Sequence, residues 1–274
     1  PDLTVDWVVE APFADIPSLH SGVDHVIPVS IRKWRRAILE QATRHEVSLF
    51  WKQLRAHDYE WVIDTQGLVK SAVLALASKG SRAGHDWKSA REPLASLVYT
   101  HKIGVERGCC AIWRNRQLTA QVLGYEFDEN HIDYGLSEVG CDKKALLDNG
   151  CELPERYVLG LHASSRVDKE WRNECWQEVA EWLNGRGCSL VLPWGSERER
   201  LQAKAIAKPT SNIVVLPRMS ISMLAQVVSG SLACVGVDTG LVHLSAALSK
   251  PTVALYFTSD PQLTGAKGEG DIVN

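Results

Sequence analysis

Val235-Gly-Val-Asp-Thr-Gly-Leu-Val-His-Leu-Ser-Ala-Ala-Leu248 changes period part-way along. A short β-branched run gives way to a tight Asp-Thr-Gly turn, and the turn to a stretch of small and apolar residues at helical spacing. The segment therefore reads as strand, turn and helix. The free N–H groups and dipole at such a helix start favour an anion, above all a phosphate. Gly240 has no Cβ to hold a diphosphate off, Thr239 offers a hydroxyl, and His243 falls one helical turn further on. The alternative is that Asp238 or Thr239 only caps the helix and His243 is a satisfied core residue.

The same alternation extends in both directions. Upstream lie a strand at Tyr157–Leu161, a helix marked by Trp176, Val179, Ala180 and Leu183 and ended by Gly185 or Gly187, a strand at Cys188–Leu192, and a helix at Glu197–Ala207. A strand at Ile213–Leu216 and a serine-capped helix at Ser220–Val228 follow, and Pro251–Tyr256 closes the series. An earlier series has strands at Val5–Val9, Val26–Val29 and Trp61–Asp64, with helical stretches at Arg32–His57, Leu68–Ala77 and Glu106–Tyr125. Strands alternating with helices imply β-α-β units and parallel sheets. The polar stretch 126–155, with Gly135, Gly140, Gly150 and Pro154, divides the two series. The expected fold is α/β of GT-B type: two Rossmann-like domains, 1–125 and 156–274, joined by a linker at 126–155, with parallel sheets facing across a cleft. The chain begins in a strand-like run without an initiator methionine and stops after a glycine-rich loop, so it reads as truncated at both ends.

Composition agrees. The 274 residues, 45% hydrophobic and 23% charged, suit a globular chain of one large or two ordinary domains. No stretch reaches the roughly 20 apolar residues of a membrane-spanning helix, so any membrane contact is expected to be peripheral. Seven cysteines without paired C-x-x-C spacing suit a reducing compartment, and the chain is read as cytoplasmic. Net charge is −3, yet residues 31–58 carry seven Lys/Arg against three Asp/Glu.

Further candidates follow the strands. His162-Ala-Ser-Ser-Arg-Val-Asp-Lys-Glu-Trp171 offers the hydroxyls of Ser164 and Ser165 and the ammonium of Lys169 to phosphate oxygens, the alternative being an ordinary solvated loop. Neither a D-x-D spacing nor a cluster of His and acidic residues suggests a divalent metal, so lysine, hydroxyls and helix N-termini would neutralise the diphosphate. In the first series, Gln66 and Lys70 follow the Trp61–Asp64 strand, and the run Ile31–Arg36 supplies Arg32, Lys33, Arg35 and Arg36. The run is either a solvated face or a grip on an anionic acceptor; Arg114 and Arg116 belong to the same reading.

Five blocks carry a resemblance: D-T-Q-G-L-V-K-S-A at 64–72, H-D-W-K-S-A-R-E-P at 85–93, H-A-S-S-R-V-D-K-E-W at 162–171, L-P-W-G at 192–195 and V-D-T-G-L-V-H-L-S-A-A-L at 237–248. The chain resembles the lipopolysaccharide heptosyltransferases of glycosyltransferase family 9, and its first two blocks resemble heptosyltransferase I more than heptosyltransferase II. The resemblance implies an inverting, metal-independent transferase without a cofactor that moves heptose from ADP-heptose to Kdo on a lipid A precursor. It would work as a peripheral protein on the cytoplasmic face of the inner membrane, with no nucleic acid among its partners. It implies that Ser164, Ser165, Lys169, Asp238, Thr239, Gly240 and His243 hold the donor, that Glu199 and Met219 lie around the nucleoside, and that Lys169 and Asp238 serve catalysis. Threonines often stand in this family where Ser164 and Ser165 stand here. The family's general base, an aspartate after the first strand, would precede Pro1. Alternatives are heptosyltransferase II, a nucleotide-sugar epimerase of the same fold, and a nucleotide-sugar binding module.

Overall fold

A computed structural model describes residues 3–136 and 138–274. The chain divides into two compact units, one of residues up to Ala14 together with Asp24–Asn130, the other of Asp15–Val23 together with His131–Asn274.

In the first unit β1 (Asp6–Glu10) pairs in parallel with β2 (His25–Val29); the short α1 (Asp15–Ser18) between them belongs to the second unit. Two helices follow, α2 (Ile31–Ala37) and α3 (Gln41–Leu54). After them β3 (Tyr59–Asp64), α4 (Val69–Ala77), β4 (Gly80–His85) and β5 (His101–Ile103) build a second parallel sheet in the order β3-β4-β5, and α5 (Ala111–Leu123) packs on β4 and β5.

The single helical stretch expected at Arg32–His57 is thus two helices. In one straight helix Trp34 and Phe50 would stand about 24 Å apart at 1.5 Å per residue. Their rings in fact meet at 5.3 Å in one core with Ile27, Val29 and Leu54, because the backbone turns extended at Glu40. Strands β4 and β5 were not anticipated. Glycines dilute the strand signal of β4, but Gly84 is required there: a Cβ would lie 2.5 Å from the Tyr99 ring. The helix expected from Glu106 starts at Ala111, where the Cys110 sulfur accepts the Trp113 N–H.

The second unit takes in residues 131–155 of the stretch read as a linker, and α6 (Lys143–Asp148) lies within them, capped by Asp142. Its sheet comprises β6 (Tyr157–Leu161), β7 (Ser189–Leu192), β8 (Ile213–Val215), β9 (Ala233–Val237), β10 (Thr252–Leu255) and β11 (Ile272–Val273). All pairings are parallel, in the order β11-β10-β9-β6-β7-β8. β6 is buried along its whole length, as a strand covered on both faces must be, which is why Tyr-Val-Leu-Gly-Leu is nearly all apolar. The connecting helices are α7 (Asn173–Asn184), α8 (Glu197–Ala207), α9 (Ile221–Gly230) and α10 (Gly240–Ala247), with the short α11 (Pro261–Thr264) after β10. α7 buries Trp176, Ala180 and Leu183 at i, i+4, i+7; Gly185 caps it, and Gly187 takes the left-handed φ of 67°. Ser220 caps α9 by accepting the Met223 N–H.

The chain runs β6, β7, β8 toward one edge and then returns beyond β6 to lay down β9, β10, β11 toward the other. The strand order therefore reverses between β6 and β9, the place where open α/β sheets leave a crevice for ligands. Among the described residues no helix is long and apolar enough to cross a membrane.

Gly236 lets β9 and α10 approach β6, since a Cβ there would sit 2.5 Å from Val242 Cγ2 and 2.7 Å from Leu161 Cβ. Gly236→Ala is expected to lower stability by about 1–3 kcal/mol through overpacking, read from the midpoint of urea denaturation.

Candidate active site at the strand ends

The donor residues expected from the sequence gather along the carboxyl ends of four adjacent strands. Ser164, Ser165 and Lys169 follow β6; Glu199 follows β7; Met219 follows β8; Asp238, Thr239, Gly240 and His243 follow β9.

The turns after β6 and β9 are joined directly. Lys169 Nζ donates to Asp238 Oδ2 at 2.6 Å, and Ser164 Oγ donates to the Asp238 carbonyl at 3.1 Å. Ser259, after β10, donates to the same Oδ2 at 2.5 Å. Burial alone would raise the Asp238 pKa. The hydrogen bonds from Lys169 and Ser259, with the ammonium charge, outweigh it and hold the carboxyl below its ordinary value. Burial lowers the pKa of His243 and the Asp238 charge opposes this, so the imidazole is held below its usual value.

Neither capping alternative is realised at α10. Asp238 is engaged by Lys169 and Ser259, and Thr239 makes no side-chain cap. The helix start therefore carries no side-chain cap, and nothing lies within 4 Å of where a Gly240 Cβ would be. Ser164 is buried and its hydroxyl bridges the two turns, whereas Ser165 stands exposed on the turn.

Two residues missed from the sequence hold the β6 turn in place. Glu170 accepts the Ser164 N–H at 3.1 Å and forms a two-point pair with Arg198 at 2.8 and 3.1 Å, while Arg198 also donates to the Ser164 carbonyl at 2.8 Å. No spacing rule relates 170 to 198. In the Glu-Arg-Glu-Arg stretch, Glu199 Oε2 accepts the Gly195 and Ser196 N–H groups in a capping box, while Glu197 pairs with Arg200. The buried His162 bonds the Glu199 carbonyl through Nε2 at 3.2 Å, and burial pushes its pKa down. Met219 is half-buried against the core beside β8.

The acceptor candidates lie at the strand ends of the first unit, in three places. On α2, Lys33 pairs with Glu46 at 2.7 Å and Trp34 turns inward, leaving Arg32, Arg35 and Arg36 exposed without ion pairs among the described residues. After β3, Asp64 accepts the Gln66 N–H at 2.9 Å and the Gly67 N–H at 3.3 Å, and Tyr99 fixes its other oxygen at 2.6 Å. Gly67 takes a φ of 60°, and Lys70 sits 4.0 Å from Glu10 at the end of β1. On α5, Arg114 and Arg116 part company. Arg116 bonds the Asp128 carbonyl and covers the Phe127 ring. Arg114 donates to the Ser89 carbonyl at 2.6 Å beside Arg107, which bonds the Ala90 carbonyl. Burial, then Arg107 and Arg91, lower the pKa of Arg114. Arg91 and Arg107 were not singled out in the sequence because they belong to separate loops that only the fold brings together.

The profile of glycosyltransferase family 9 (heptosyltransferase) matches residues 47–274. The chain belongs to glycosyltransferase family 9. It is a transferase, 44% identical over 273 residues to lipopolysaccharide heptosyltransferase 1 of Pseudomonas aeruginosa, which covers 99% of this chain and 75% of that protein. Two solved structures of the Escherichia coli heptosyltransferase WaaC share its fold. One, with ADP, has a TM-score of 0.90 at 41% identity, covering 100% of this chain and 83% of that one. The other, with ADP-2-deoxy-2-fluoro heptose, has a TM-score of 0.84 at 42% identity, covering 95% and 81%. Within a family 9 transferase, a crevice where a lysine, a helix N-terminus and a hydroxyl-lined turn meet is suited to a diphosphate.

Because the Asp238 carboxyl titrates lower in the folded chain, its stabilisation is present above the unfolded pKa and is lost as pH falls through the folded one. The gap in unfolding free energy between wild type and Asp238→Asn should stay constant near neutrality and shrink below about pH 4. Urea titrations across that range measure it, and a gap persisting unchanged into acid would contradict the assignment.

Proposed function

We propose that this family 9 glycosyltransferase moves L-glycero-D-manno-heptose from ADP-heptose onto Kdo of the lipopolysaccharide inner core, with inversion and without a metal ion. The observation that carries the reading is the junction of the β6 and β9 turns at the switch point, where Lys169, Asp238 and the start of α10 meet. The resemblance of the chain to heptosyltransferases solved with ADP and with a fluorinated ADP-heptose supports the donor. Membership of a transferase family favours transfer over epimerisation.

In the proposed mechanism the diphosphate lies across the two turns. Lys169 and the Thr239–Gly240 amides stabilise negative charge that grows on it as the bond to the anomeric carbon breaks. Asp238 holds the ammonium at the crevice, which limits the reorganisation needed when the diphosphate arrives. Ser165 and His243 line the same crevice, and Glu199 and Met219 flank the nucleoside. The acceptor hydroxyl attacks the anomeric carbon from the opposite side as a carboxylate takes its proton. Gln66, Lys70, Arg114 and the exposed arginines of α2 hold the anionic, lipid-linked acceptor, with Arg91 and Arg107 joining Arg114. Arg116, tied to 127–128, contributes less. The protein works at the cytoplasmic face of the inner membrane.

The test is product formation by the full-length enzyme from ADP-heptose and Kdo-bearing lipid A. Lys169→Ala is expected to reduce kcat by about 10²–10³-fold while chelators leave the wild-type rate unchanged. A Lys169→Ala enzyme of near-normal rate would remove the proposed role, and donor conversion without acceptor would favour epimerisation.

A further inference from the structure

Three aliphatic side chains of α4 stand exposed among the described residues. Val69, Val73 and Leu76 recur at i, i+4, i+7, beside the buried Ala72 and Ala75 that pack inward. The 3-10 turn Pro93–Leu97 packs beside α4, with Ala72 and Ala95 in one cluster, and turns Leu94 and Leu97 outward. These five aliphatic side chains are each between 42% and 66% exposed. Single exposed leucines are ordinary, but a stripe on one helix continued by its neighbour is a contiguous apolar patch.

Cations surround the patch. Lys70 stands at the start of α4 and Lys79 just past its end; Arg55 donates to the Ala77 carbonyl at 3.0 Å, Arg82 to the Val98 carbonyl at 3.0 Å, and Arg91 precedes the 3-10 turn. Three carboxylates lie among them: Glu92 accepts the Val69 N–H, Asp58 pairs with Lys79, and Glu10 stands 4.0 Å from Lys70. Aliphatic residues inside a rim of lysine and arginine are the pattern of a surface that dips into an anionic bilayer. Protein interfaces instead favour aromatic residues and are depleted in lysine.

We infer that the α4 and Pro93–Leu97 face is where this protein rests on an anionic lipid surface, with the five aliphatic side chains in the headgroup region and the cations against lipid phosphates. The inference rests on the lipid-linked acceptor of the proposed function and adds the face involved. The stripe begins at Val69, next to Lys70 and tied through the Gly67 carbonyl to the Glu92 N–H at 2.9 Å. A sugar whose acyl chains stay in the bilayer reaches Gln66 and Lys70 only if the membrane surface adjoins that end of α4.

The experiment is co-sedimentation of the full-length protein with vesicles of phosphatidylethanolamine and phosphatidylglycerol, and with neutral phosphatidylcholine vesicles, without donor or acceptor. The wild type should bind the anionic vesicles, bind the neutral ones weakly, and dissociate as salt rises. Leu94→Gln/Leu97→Gln should weaken anionic-vesicle binding by at least about tenfold, whereas Leu201→Gln, an exposed leucine on α8, should leave it unchanged. Thermal melts establish that each variant is folded. ADP affinity, and turnover on a water-soluble Kdo acceptor, should be the same in variant and wild type; loss of turnover in both with vesicle binding intact would count against the proposed function and leave this inference standing. Wild-type failure to bind anionic vesicles, or double-variant binding equal to wild type, would overturn it. So would a wild-type dimer in sedimentation velocity that the double substitution dissociates, since the patch would then belong to a second copy.

Discussion

The contact between Lys169 and Asp238 is the constraint on which the β6 and β9 turns of the second unit depend. It spans adjacent, parallel strands whose turns are 69 residues apart in sequence. Its side chains are only 19% and 11% exposed, so both charges have lost much of their hydration. An ion pair in that position gives little net stability unless further hydrogen bonds satisfy the remaining oxygens. Ser259 supplies one to the Asp238 carboxylate, and Ser164 ties the Asp238 carbonyl to the other turn. Glu170 and Arg198 then fix the β6 turn from behind. The outcome is an ammonium held beside the turn that opens α10, a helix start without a side-chain cap, as the proposed diphosphate site requires.

That arrangement exists because the strand order reverses between β6 and β9. Two turns on neighbouring strands of a parallel sheet end on the same side, but at most places a crossing helix fills the gap between them. At the reversal the helices diverge to opposite faces and leave a crevice. Gly160 and Gly236 keep the strands and helices around it closely packed: a Cβ at 160 would meet Leu190 and Leu192, and one at 236 would meet Val242 and Leu161. Small residues are thus used where backbone approach sets the geometry, and large ones, Trp176 and Tyr157 foremost, where the core is filled.

The first unit handles charge differently. Several of its guanidinium groups are fixed by backbone carbonyls rather than carboxylates, among them Arg107 by Ala90, Arg114 by Ser89, Arg55 by Ala77 and Arg82 by Val98. A carbonyl orients a guanidinium without cancelling its charge, so positive potential stays available to an anionic partner. The Asp64–Tyr99 contact performs a structural task here, clamping the Gln66–Gly67 turn from which α4 departs.

Much of this was legible in the residues. The alternation of short β-branched runs with helical periods fixed the α/β class, and β6, β9, α9 and α10 fell within a residue or two of their places because apolar period and, for α9, the capping serine are local signals. The strand–turn–helix reading of Asp238-Thr239-Gly240 was local too, since it depends on a turn that opens a helix. β4 was hidden by its glycines, which serve a distant ring, and the break between α2 and α3 by the need of Trp34 and Phe50 to share a core. Only the tertiary structure decided that Lys169 faces Asp238, that Arg114 and Arg116 have different neighbours, and that Glu170 and Arg198 hold the turn. Each of those is a meeting of residues far apart in the chain or a choice between adjacent ones. Sequence period carries which face a residue occupies, but not what stands opposite it.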